Sequence, residues 1–376
     1  MKLLIISNMA HYIRDNEIVG RGPTVEEINH LAGLFKEINH IACLHNTEVP
    51  LSSLPYSSKR ISLIPLPPAG GPNILKKLFI LFLAPLYIYT ILRELPKADI
   101  VHVRCPANIS LIAIVLLSLI RSPSIRWVKY AGNWQPYDKE AWSYKFQRWW
   151  LLKMLHRGVV TVNGQWPNQP KHIHSFLNPC LTTREAEEAR KISSEKQLSF
   201  PLRLLFVGRL ETEKGVGRAL NILSKLHQKG ISATLDLVGD GPERSRFEKL
   251  TNNLGINQLV KFNGWLPRPD LIPIYSAAHI FLLPSCSEGW PKVLSEAMAY
   301  GVVPIASNVG SIPQYLKRFG TGRTLPPEDE EGFENAICYY SLHFDLWKEE
   351  SENGIKAAKY FSYETYLNEV KNLLKI

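Results

Sequence analysis

The chain has 376 residues, which is too long for one ordinary domain and suits two domains of about 150–200 residues each. Apolar residues make up 45% and charged residues 21%, a composition that excludes a disordered chain. Residues 1–180 hold 20 Lys and Arg against 10 Asp and Glu, and residues 181–376 hold 24 of each, so the net charge of +10 lies in the first half. This indicates an anionic partner for that half, with solubility alone as the alternative.

The cysteines and the N-terminal sequence indicate the cellular compartment in which the protein works. None of the five cysteines forms a Cys-x-x-Cys pair, which excludes the usual zinc spacings and argues against a disulfide framework. The apolar stretch Met1–Asn8 is too short for a signal peptide and predicts a first strand. We therefore expect a cytoplasmic protein.

Two apolar runs in the first half bear on membrane contact. Leu78–Leu92 and Cys105–Ile120 both fall short of the roughly 20 residues that span a bilayer, and they predict elements packed on a buried sheet. The alternative for the first run is a helix lying on an anionic membrane, because basic residues flank it. These residues are Lys76, Lys77, Arg93 and Lys97.

The first half alternates strand and helix patterns. Thr24–Glu27 reads as a capping box that starts a helix running to about Glu37. Short apolar strands between helical segments predict a parallel sheet covered on both faces. The predicted strands are Lys2–Asn8, His40–His45, Ile61–Pro65, Asp99–Arg104, Ile125–Tyr130 and Val159–Val162.

A domain boundary is predicted near residue 180, after the Asn178-Pro179 turn and before the polar stretch Thr182–Ser199. The second half then repeats the alternation with strands that end at glycines. Its predicted strands are Leu204–Val207, Thr234–Val238, Val260–Phe262, Ile280–Leu283 and Val303–Ala306. Its predicted helices are Val216–Gln228, Phe247–Leu254, Val293–Tyr300, about Glu330–Asn353 and Ser362–Leu374.

Three strand-end loops of the second half carry candidate chemistry, because ligands of open α/β sheets bind beyond the carboxyl ends of the strands. The first loop places Arg209 and Lys214 just before a helix, as diphosphate binding requires. The second, Gly239–Pro242, allows close backbone approach. The third places Glu288 in a loop and Glu296 in the next helix, where a carboxylate can accept hydroxyl donors. Surface turns and a structural ion pair are the alternatives.

This ordered set resembles the retaining GT-B glycosyltransferases of family four. The match runs VGRLETEKG, LVGDGP, VKFNGWL and SEGWPKVLSEAMAYGVVPIAS, and it is strong over Leu204–Ser307. The resemblance implies an α/β fold of two Rossmann-like, doubly wound parallel-sheet domains facing a cleft. These would be residues 1–180, with a crossover helix at about 355–376, and a donor domain at 181–354.

The resemblance also implies roles for particular residues. Arg209 and Lys214 would stabilise the leaving diphosphate, Glu288 would hold donor-sugar hydroxyls, and Glu296 would hold the ribose. Gly22, in a loop after the first strand, would approach the diphosphate from the other domain, and Asn133 or Trp134 would line the acceptor side. The remaining donor-binding positions are Gly208, Gly239, Gly241, Leu266, Gly289, Trp290, Pro291, Lys292 and Val293.

The chain departs from the family pattern at two places. Trp290-Pro291 stands where Phe-Gly is common, and because proline has no N–H, one phosphate contact is in doubt. No histidine occurs in the Lys129–Trp134 segment, where many members place one, so no proton-transfer residue is assigned.

The resemblance implies a hexosyltransferase-type enzyme that moves a sugar from a nucleoside diphosphate, UDP foremost, to a saccharide or lipid-linked acceptor. It would act in bacterial cell-surface polysaccharide or glycolipid synthesis, in the cytoplasm or on the inner face of the membrane. No cofactor, metal or nucleic acid is expected, since the chain has no Asp-x-Asp motif and no readable nucleic-acid module. A nucleotide-sugar epimerase and an inactive binding partner on the same fold stay open as alternatives. A dinucleotide-dependent oxidoreductase is disfavoured because no G-x-G-x-x-G follows a strand.

Overall fold

The structure is a computed structural model that describes residues 1–69, 74–136 and 140–376, with the backbone alone at 74–78. Two compact units make up the chain. The first contains Met1–Phe176 together with Leu367–Ile376, and the second contains Leu177–Tyr366. The last ten residues therefore belong with the N-terminal unit.

The first unit is built on a parallel sheet with helices packed on it. Its strands are β1 (Lys2–Arg14), β2 (Glu17–Arg21), β3 (Glu37–Leu44), β4 (Ser53–Pro55), β5 (Ile61–Leu66), β6 (Ile100–Cys105), β7 (Ile125–Tyr130), β8 (Val159–Val162) and β9 (Ile173–Ser175). The parallel order is β5-β3-β1-β6-β7-β8-β9, and β2 and β4 add an antiparallel corner beside β1. The helices are α1 (Gly22–Leu31), α2 (Ile74–Glu94), α3 (Asn108–Leu119) and α4 (Trp142–Leu152). The predicted strands of this half are confirmed in place.

The first strand continues into a hairpin, so the prediction that Gly22 lies in a loop after that strand is wrong. β1 continues to Arg14, turns at Asp15 and Asn16, which both have positive φ, and pairs antiparallel with β2. Asp and Asn are the non-glycine residues that best tolerate this left-handed conformation. Gly22 is buried at the start of α1, and its N–H donates to Ser52 O at 3.1 Å.

The capping box predicted at Thr24–Glu27 is also wrong. α1 begins at Gly22, with Pro23 in its first turn, and ends at Leu31 rather than Glu37. The Glu27 carboxylate accepts from Arg104 Nη1 at 2.8 Å and from Lys129 Nζ at 2.7 Å. A buried carboxylate needs such charged partners, and these lie 77 and 102 residues away along the chain.

The first apolar run forms the long helix α2. Together with a short turn after it, Phe79–Lys97 is long and apolar enough to cross a membrane, by length and composition alone. The prediction that this run is too short to span a bilayer is therefore wrong, because the helix is longer than the uncharged run. One face of α2 packs in the core through Tyr87 and Ile91, as predicted for an element on a buried sheet. The side chains of Lys76 and Lys77 lie outside the described part of the chain.

The second unit has a wholly parallel sheet. Its strands are β10 (Leu202–Val207), β11 (Ala233–Val238), β12 (Val260–Gly264), β13 (Ile280–Leu283), β14 (Val303–Ser307) and β15 (Arg323–Leu325). Its helices are α5 (Thr183–Ser193), α6 (Val216–Gln228), α7 (Arg244–Asn253), α8 (Arg268–Ala277), α9 (Lys292–Ala299), α10 (Ile312–Phe319), α11 (Glu330–Leu342) and α12 (Phe344–Ala357), and α13 (Tyr363–Leu374) begins in this unit. The predicted elements of this half are confirmed except at two places.

The two exceptions lie at the edges of the unit. The polar stretch after residue 180 forms α5, which begins with a complete capping box between Thr182 and Glu185. The helical stretch predicted for Glu330–Asn353 is two helices, α11 and α12, separated at His343. The elements α8, α10 and β15 were not predicted.

The strand order of the second sheet, β12-β11-β10-β13-β14-β15, reverses direction between β10 and β13. All its pairings are parallel, and every residue of β13 and β14 is buried. The predicted α/β, doubly wound, parallel-sheet architecture is therefore confirmed. In such a sheet the loops that follow the two strands at the reversal border a ligand crevice.

Candidate active site

The loops after β10 and β13 meet at the point where the strand order reverses. The β10 loop carries Lys214 and the β13 loop carries Glu288, and Lys214 Nζ lies 2.7 Å from Glu288 Oε1. Ser285 Oγ donates to the same oxygen at 3.0 Å. Both charged side chains are only partly exposed, at 32% for Lys214 and 11% for Glu288. The structure thus brings together two of the three predicted catalytic residues.

Two hydrogen bonds connect the β13 loop to the β10 loop and to α6. Cys286 N donates to Glu213 O at 2.9 Å, and Arg218 Nε donates to Pro284 O at 2.8 Å. The turn at Thr212–Lys214 leads directly into α6, whose first turn follows Gly215. A helix N-terminus with a lysine beside it is an arrangement that binds phosphate groups.

Arg209 lies on the same loop but points toward solvent. Its side chain is 68% exposed, and Nη2 pairs with Glu211 Oε1 at 2.6 Å. An exposed ion pair of this kind contributes less than about 1 kcal/mol, so little holds the guanidinium in its present position. Arg209 can therefore turn toward an anion bound at the loop.

The predicted glycines join the ends of β10, β11 and β12 through their backbones. Gly208 N donates to Val238 O at 2.9 Å, and Gly239 N donates to Gly264 O at 2.8 Å. Gly239 has a φ of +126°, and a Cβ there would lie 2.0 Å from Gly208 O. Gly241 is similarly close to Leu210 O. Leu266 follows β12 and packs partly buried against the core.

The segment Gly289–Val293 links the β13 loop to α9. Gly289 O accepts from Ser311 Oγ at 2.9 Å, which braces the loop. The Trp290 ring is 3% exposed and stacks on Phe361 at 5.3 Å, so its side chain belongs to the core and leaves only its backbone for ligand contact. Pro291 is the N-cap of α9, and Lys292 and Val293 are its first residues.

Glu296 lies one turn further along α9, beside a small cavity of about 110 Å³. Tyr275 Oη donates to Glu296 Oε2 at 3.1 Å. Burial, followed by the neighbouring carboxylate, raises the pKa of the Tyr275 hydroxyl well above its ordinary value, so the hydroxyl stays protonated and donates. Arg268 also lines the cavity and donates to Cys180 O at 2.6 Å. The second oxygen of Glu296 remains able to accept from hydroxyls.

The remaining candidates belong to the first unit. Gly22 uses its N–H inside that unit, so the predicted loop contact to a diphosphate has no support there. Trp134 is 5% exposed and packs edge-on against Tyr130 in the core. Asn133 is half-buried, and its Oδ1 accepts from Gln135 N at 3.1 Å. Of these three residues, Asn133 is the most accessible.

The strand-end loops of the second unit carry basic side chains. Over residues 1–69, 74–136 and 140–376, no group of three or more His, Cys, Asp or Glu side chains could hold a metal ion. Arg209 and Lys214 are each paired with a carboxylate, and Arg218 of α6 donates to Pro284 O in the β13 loop.

Comparison with known proteins shows which family the segment that carries this site resembles. The model of the family described as "Glycosyl transferases group 1" matches residues 188–357, which include both loops and α9. Residues 188–357 are therefore similar to a group 1 glycosyltransferase domain. The O-antigen chain mannosyltransferase B of Escherichia coli is 28% identical to the chain over 196 residues, which is 51% of each protein. The chain spans 59% and 58% of the length of two other curated relatives.

Solved structures show the same fold over the whole chain. Sucrose-phosphate synthase from Thermosynechococcus elongatus superposes with a TM-score of 0.73 at 19% identity, covering 100% of this chain and 98% of that one. Anabaena HepE, solved in complex with UDP, superposes with a TM-score of 0.69 at 15% identity and covers both chains fully. The predicted GT-B fold is confirmed.

Several residues of the second unit that support the site were not predicted from the sequence. Ser285 bonds Glu288, Tyr275 bonds Glu296, and Ser311 holds the Gly289 carbonyl. Ser311 follows a glycine in the loop after β14, and that strand-end glycine is the signal that could have drawn attention to it.

Proposed function

We propose that this protein transfers a hexosyl group from a nucleoside diphosphate sugar to an acceptor hydroxyl, with retention of the anomeric configuration. The observation that carries the proposal is the Lys214–Glu288 pair at the strand-order reversal, with Glu296 on the helix that follows. In this proposal Lys214 is the cation that binds the diphosphate, Glu288 is the carboxylate that binds the sugar, and Glu296 is the carboxylate that binds the ribose. UDP is the proposed nucleotide, because HepE, which has the same fold, is bound to UDP.

The proposed reaction breaks the bond to the leaving group and forms a bond to the acceptor. The bond from the anomeric carbon to the β-phosphate oxygen breaks, and the acceptor oxygen bonds to that carbon on the same face. The acceptor proton passes to the departing phosphate oxygen, so no protein nucleophile or protein base is required. Negative charge grows on the diphosphate, and Lys214, Arg209 and the N-terminus of α6 would stabilise it.

In this proposal, donor binding breaks the ion pair between Lys214 and Glu288. Lys214 would exchange its contact with Glu288 for the diphosphate, and the freed Glu288 carboxylate would accept from sugar hydroxyls. Lys214 and Glu288 each have a polar partner both before and after the donor binds. The exchange of partners therefore costs little free energy of desolvation. The two cations take the role that a metal plays elsewhere, and we propose that no metal is required.

The acceptor is proposed to be a saccharide, free or carried on a lipid diphosphate, in cell-surface polysaccharide or glycolipid synthesis. The O-antigen chain mannosyltransferase among the relatives acts in a process of this kind. An acidic acceptor also suits the excess of positive charge in residues 1–180. The proposed place of action is the cytoplasm, at the inner face of the membrane.

A transfer assay tests the proposal. The full chain is incubated in EDTA with radiolabelled UDP-glucose, UDP-galactose, UDP-N-acetylglucosamine or GDP-mannose and a bacterial membrane lipid extract as acceptor. We expect label from one donor to enter the lipid fraction with an α-linkage, read from the anomeric proton by NMR, and Glu288→Gln to abolish it.

Other outcomes would contradict the proposal in different ways. A β-linked product would mean inversion, and dependence on added Mg²⁺ would remove the proposed role of the cations. Conversion of the nucleotide sugar without acceptor would indicate an epimerase. Donor binding without any conversion would indicate an inactive binding partner.

A further inference from the structure

The outer face of α2 is apolar and exposed. Phe79, Phe82, Leu86 and Tyr89 follow one another at helical spacing and are 51%, 78%, 43% and 61% exposed. The opposite face is buried, with Tyr87 donating its hydroxyl to Pro67 O at 2.6 Å. A helix with one packed and one bare apolar face needs a second partner on the bare side.

The outer face of α4 carries a row of aromatic rings. Trp142 is 73% exposed and stacks on Phe146 at 5.3 Å, and Phe146 contacts Trp149, which is 48% exposed, at 5.7 Å. The inner face of the helix is buried through Gln147, Arg148 and Leu151. Large indole rings left in water without a local partner are unusual on the surface of a monomer.

The three helices α2, α3 and α4 form one layer on the same side of the first sheet. α3 packs against both α2 and α4, and its last residue, Leu119, is 76% exposed. The bare faces of α2 and α4 therefore belong to one surface, which we call the α2–α4 face. It consists of Phe79, Leu81, Phe82, Leu86, Tyr89, Leu92, Leu119, Trp142 and Trp149.

Exposed basic side chains lie on α4 and at the ends of α3 and α4, beside the α2–α4 face. Residues 100–176 hold ten Lys and Arg against two Asp and Glu. Several of the ten are buried, but Lys145 and Lys153 are exposed on or just after α4 at helical spacing from the tryptophans, and Arg121 is exposed just after α3. Apolar rings flanked by lysines match an anionic lipid surface, which takes the rings at its interface and the cations at its phosphates.

We propose that the α2–α4 face binds an anionic membrane surface, with α2 and α4 lying in the plane of the interface. The inference rests on the proposed function only for its biological setting, since it defines the surface through which the enzyme meets lipid-borne acceptors. α2 lies on the membrane rather than crossing it. Its inner face is packed in the core of the unit, and insertion would expose Tyr87, Ile91 and the sheet beneath.

A second copy of the chain fits this face less well. In a symmetric dimer the same patch meets itself, which would bring Lys145 and Lys153 of one copy toward those of the other. Such like-charge contacts disfavour association, whereas the same lysines favour anionic lipid.

Vesicle flotation tests the proposal with the full chain. We use phosphatidylcholine vesicles with and without 30% phosphatidylglycerol, at low salt and at 0.5 M NaCl, and neither donor nor acceptor is needed. We expect the protein to float with the anionic vesicles at low salt and much less at high salt. Lys145→Gln/Lys153→Gln should weaken partitioning to anionic vesicles about 25-fold, since each lysine near the surface contributes about fivefold.

Matched variants separate the surface from general effects. Trp142→Ser/Trp149→Ser should abolish flotation, while Leu342→Ser, which removes an 80% exposed leucine in the second unit, and Lys249→Gln should leave it unchanged. No flotation with anionic vesicles at low salt would overturn the proposal. Equal loss in the control variants would overturn it too, as would a stable dimer in solution that the tryptophan variants dissociate. Failure of sugar transfer with intact flotation would count against the proposed function alone.

Discussion

Replacing Lys214 by alanine should lower kcat for sugar transfer about 100- to 1,000-fold, because it removes a preorganised cation from the leaving diphosphate. The free energy of unfolding should change by less than about 1 kcal/mol, since the Lys214–Glu288 pair is partly exposed and Ser285 still donates to Glu288. Initial rates of label transfer and a thermal unfolding midpoint measure the two effects. Arg209→Ala should act in the same direction.

A control on the neighbouring helix makes this result specific. Lys225 lies near the far end of α6 and pairs with Glu330 at 3.0 Å, with an exposure similar to that of Lys214. Lys225→Ala therefore removes a comparable ion pair away from the strand ends and should keep near-normal turnover. Retention of more than about a tenth of the wild-type kcat in Lys214→Ala would remove the diphosphate role from Lys214.

Replacing Gly215 by alanine should have the largest effect on stability, a loss of more than about 3 kcal/mol. Gly215 has a φ of +84°, and a Cβ there would lie 2.0 Å from Pro284 O, so the loops after β10 and β13 would have to separate. Lys214 and Glu288 lie on those two loops, so turnover should fall as well. Urea unfolding midpoints measure the stability effect.

Gly230 provides the matched comparison at the other end of α6. Its φ is +74°, but an added Cβ would meet nothing within 4 Å. Gly230→Ala therefore adds only the backbone strain of a left-handed residue, about 1–2 kcal/mol. The difference between the two variants isolates the close approach to Pro284. Equal losses would mean that the two loops do not meet as described.

The second unit was predictable because its local signals agree with its packing. The strands β10, β13 and β14 are short and almost wholly buried, and a glycine whose backbone contacts the neighbouring loop follows both β10 and β11. The two loops that carry Lys214 and Glu288 could be selected from the sequence because each follows a predicted strand, but the reversal of strand order between those strands was not predicted. Their direct contact could not be predicted, because the two residues are 74 positions apart.

The first unit was harder to predict because its decisive contacts are long-range. Thr24 and Glu27 have the spacing of a capping box, yet Glu27 forms ion pairs with Arg104 and Lys129 on strands that are distant in sequence. The true box at Thr182 and Glu185 lies in a stretch that reads as a polar linker. The hairpin at Asp15–Asn16 had a local signal, because both residues tolerate positive φ. The extension of β1 to Arg14 was not predicted, because residues 8–14 have mixed polarity.

The residues that support the site also could not be predicted from local sequence patterns. Tyr275 bonds Glu296 from the preceding helix, 21 residues earlier, and fixes one oxygen of that carboxylate. The Trp290 ring reads from sequence as a bulky residue in a binding loop, whereas its stacking on Phe361 makes it an anchor for that loop. A motif thus indicates which segment forms a site, and packing decides which atoms of it face a ligand.

The most direct test of the account is a thermal-shift titration of the full chain with UDP, GDP and ADP in EDTA. We expect UDP at about a hundredfold excess over Kd to stabilise the protein by about 2.7 kcal/mol. Glu296→Ala should abolish this shift, and Glu330→Ala, a carboxylate variant on α11, should keep it. A shift with none of the three nucleotides, or an undiminished shift in Glu296→Ala, would contradict a nucleotide site at the β10–β13 strand ends.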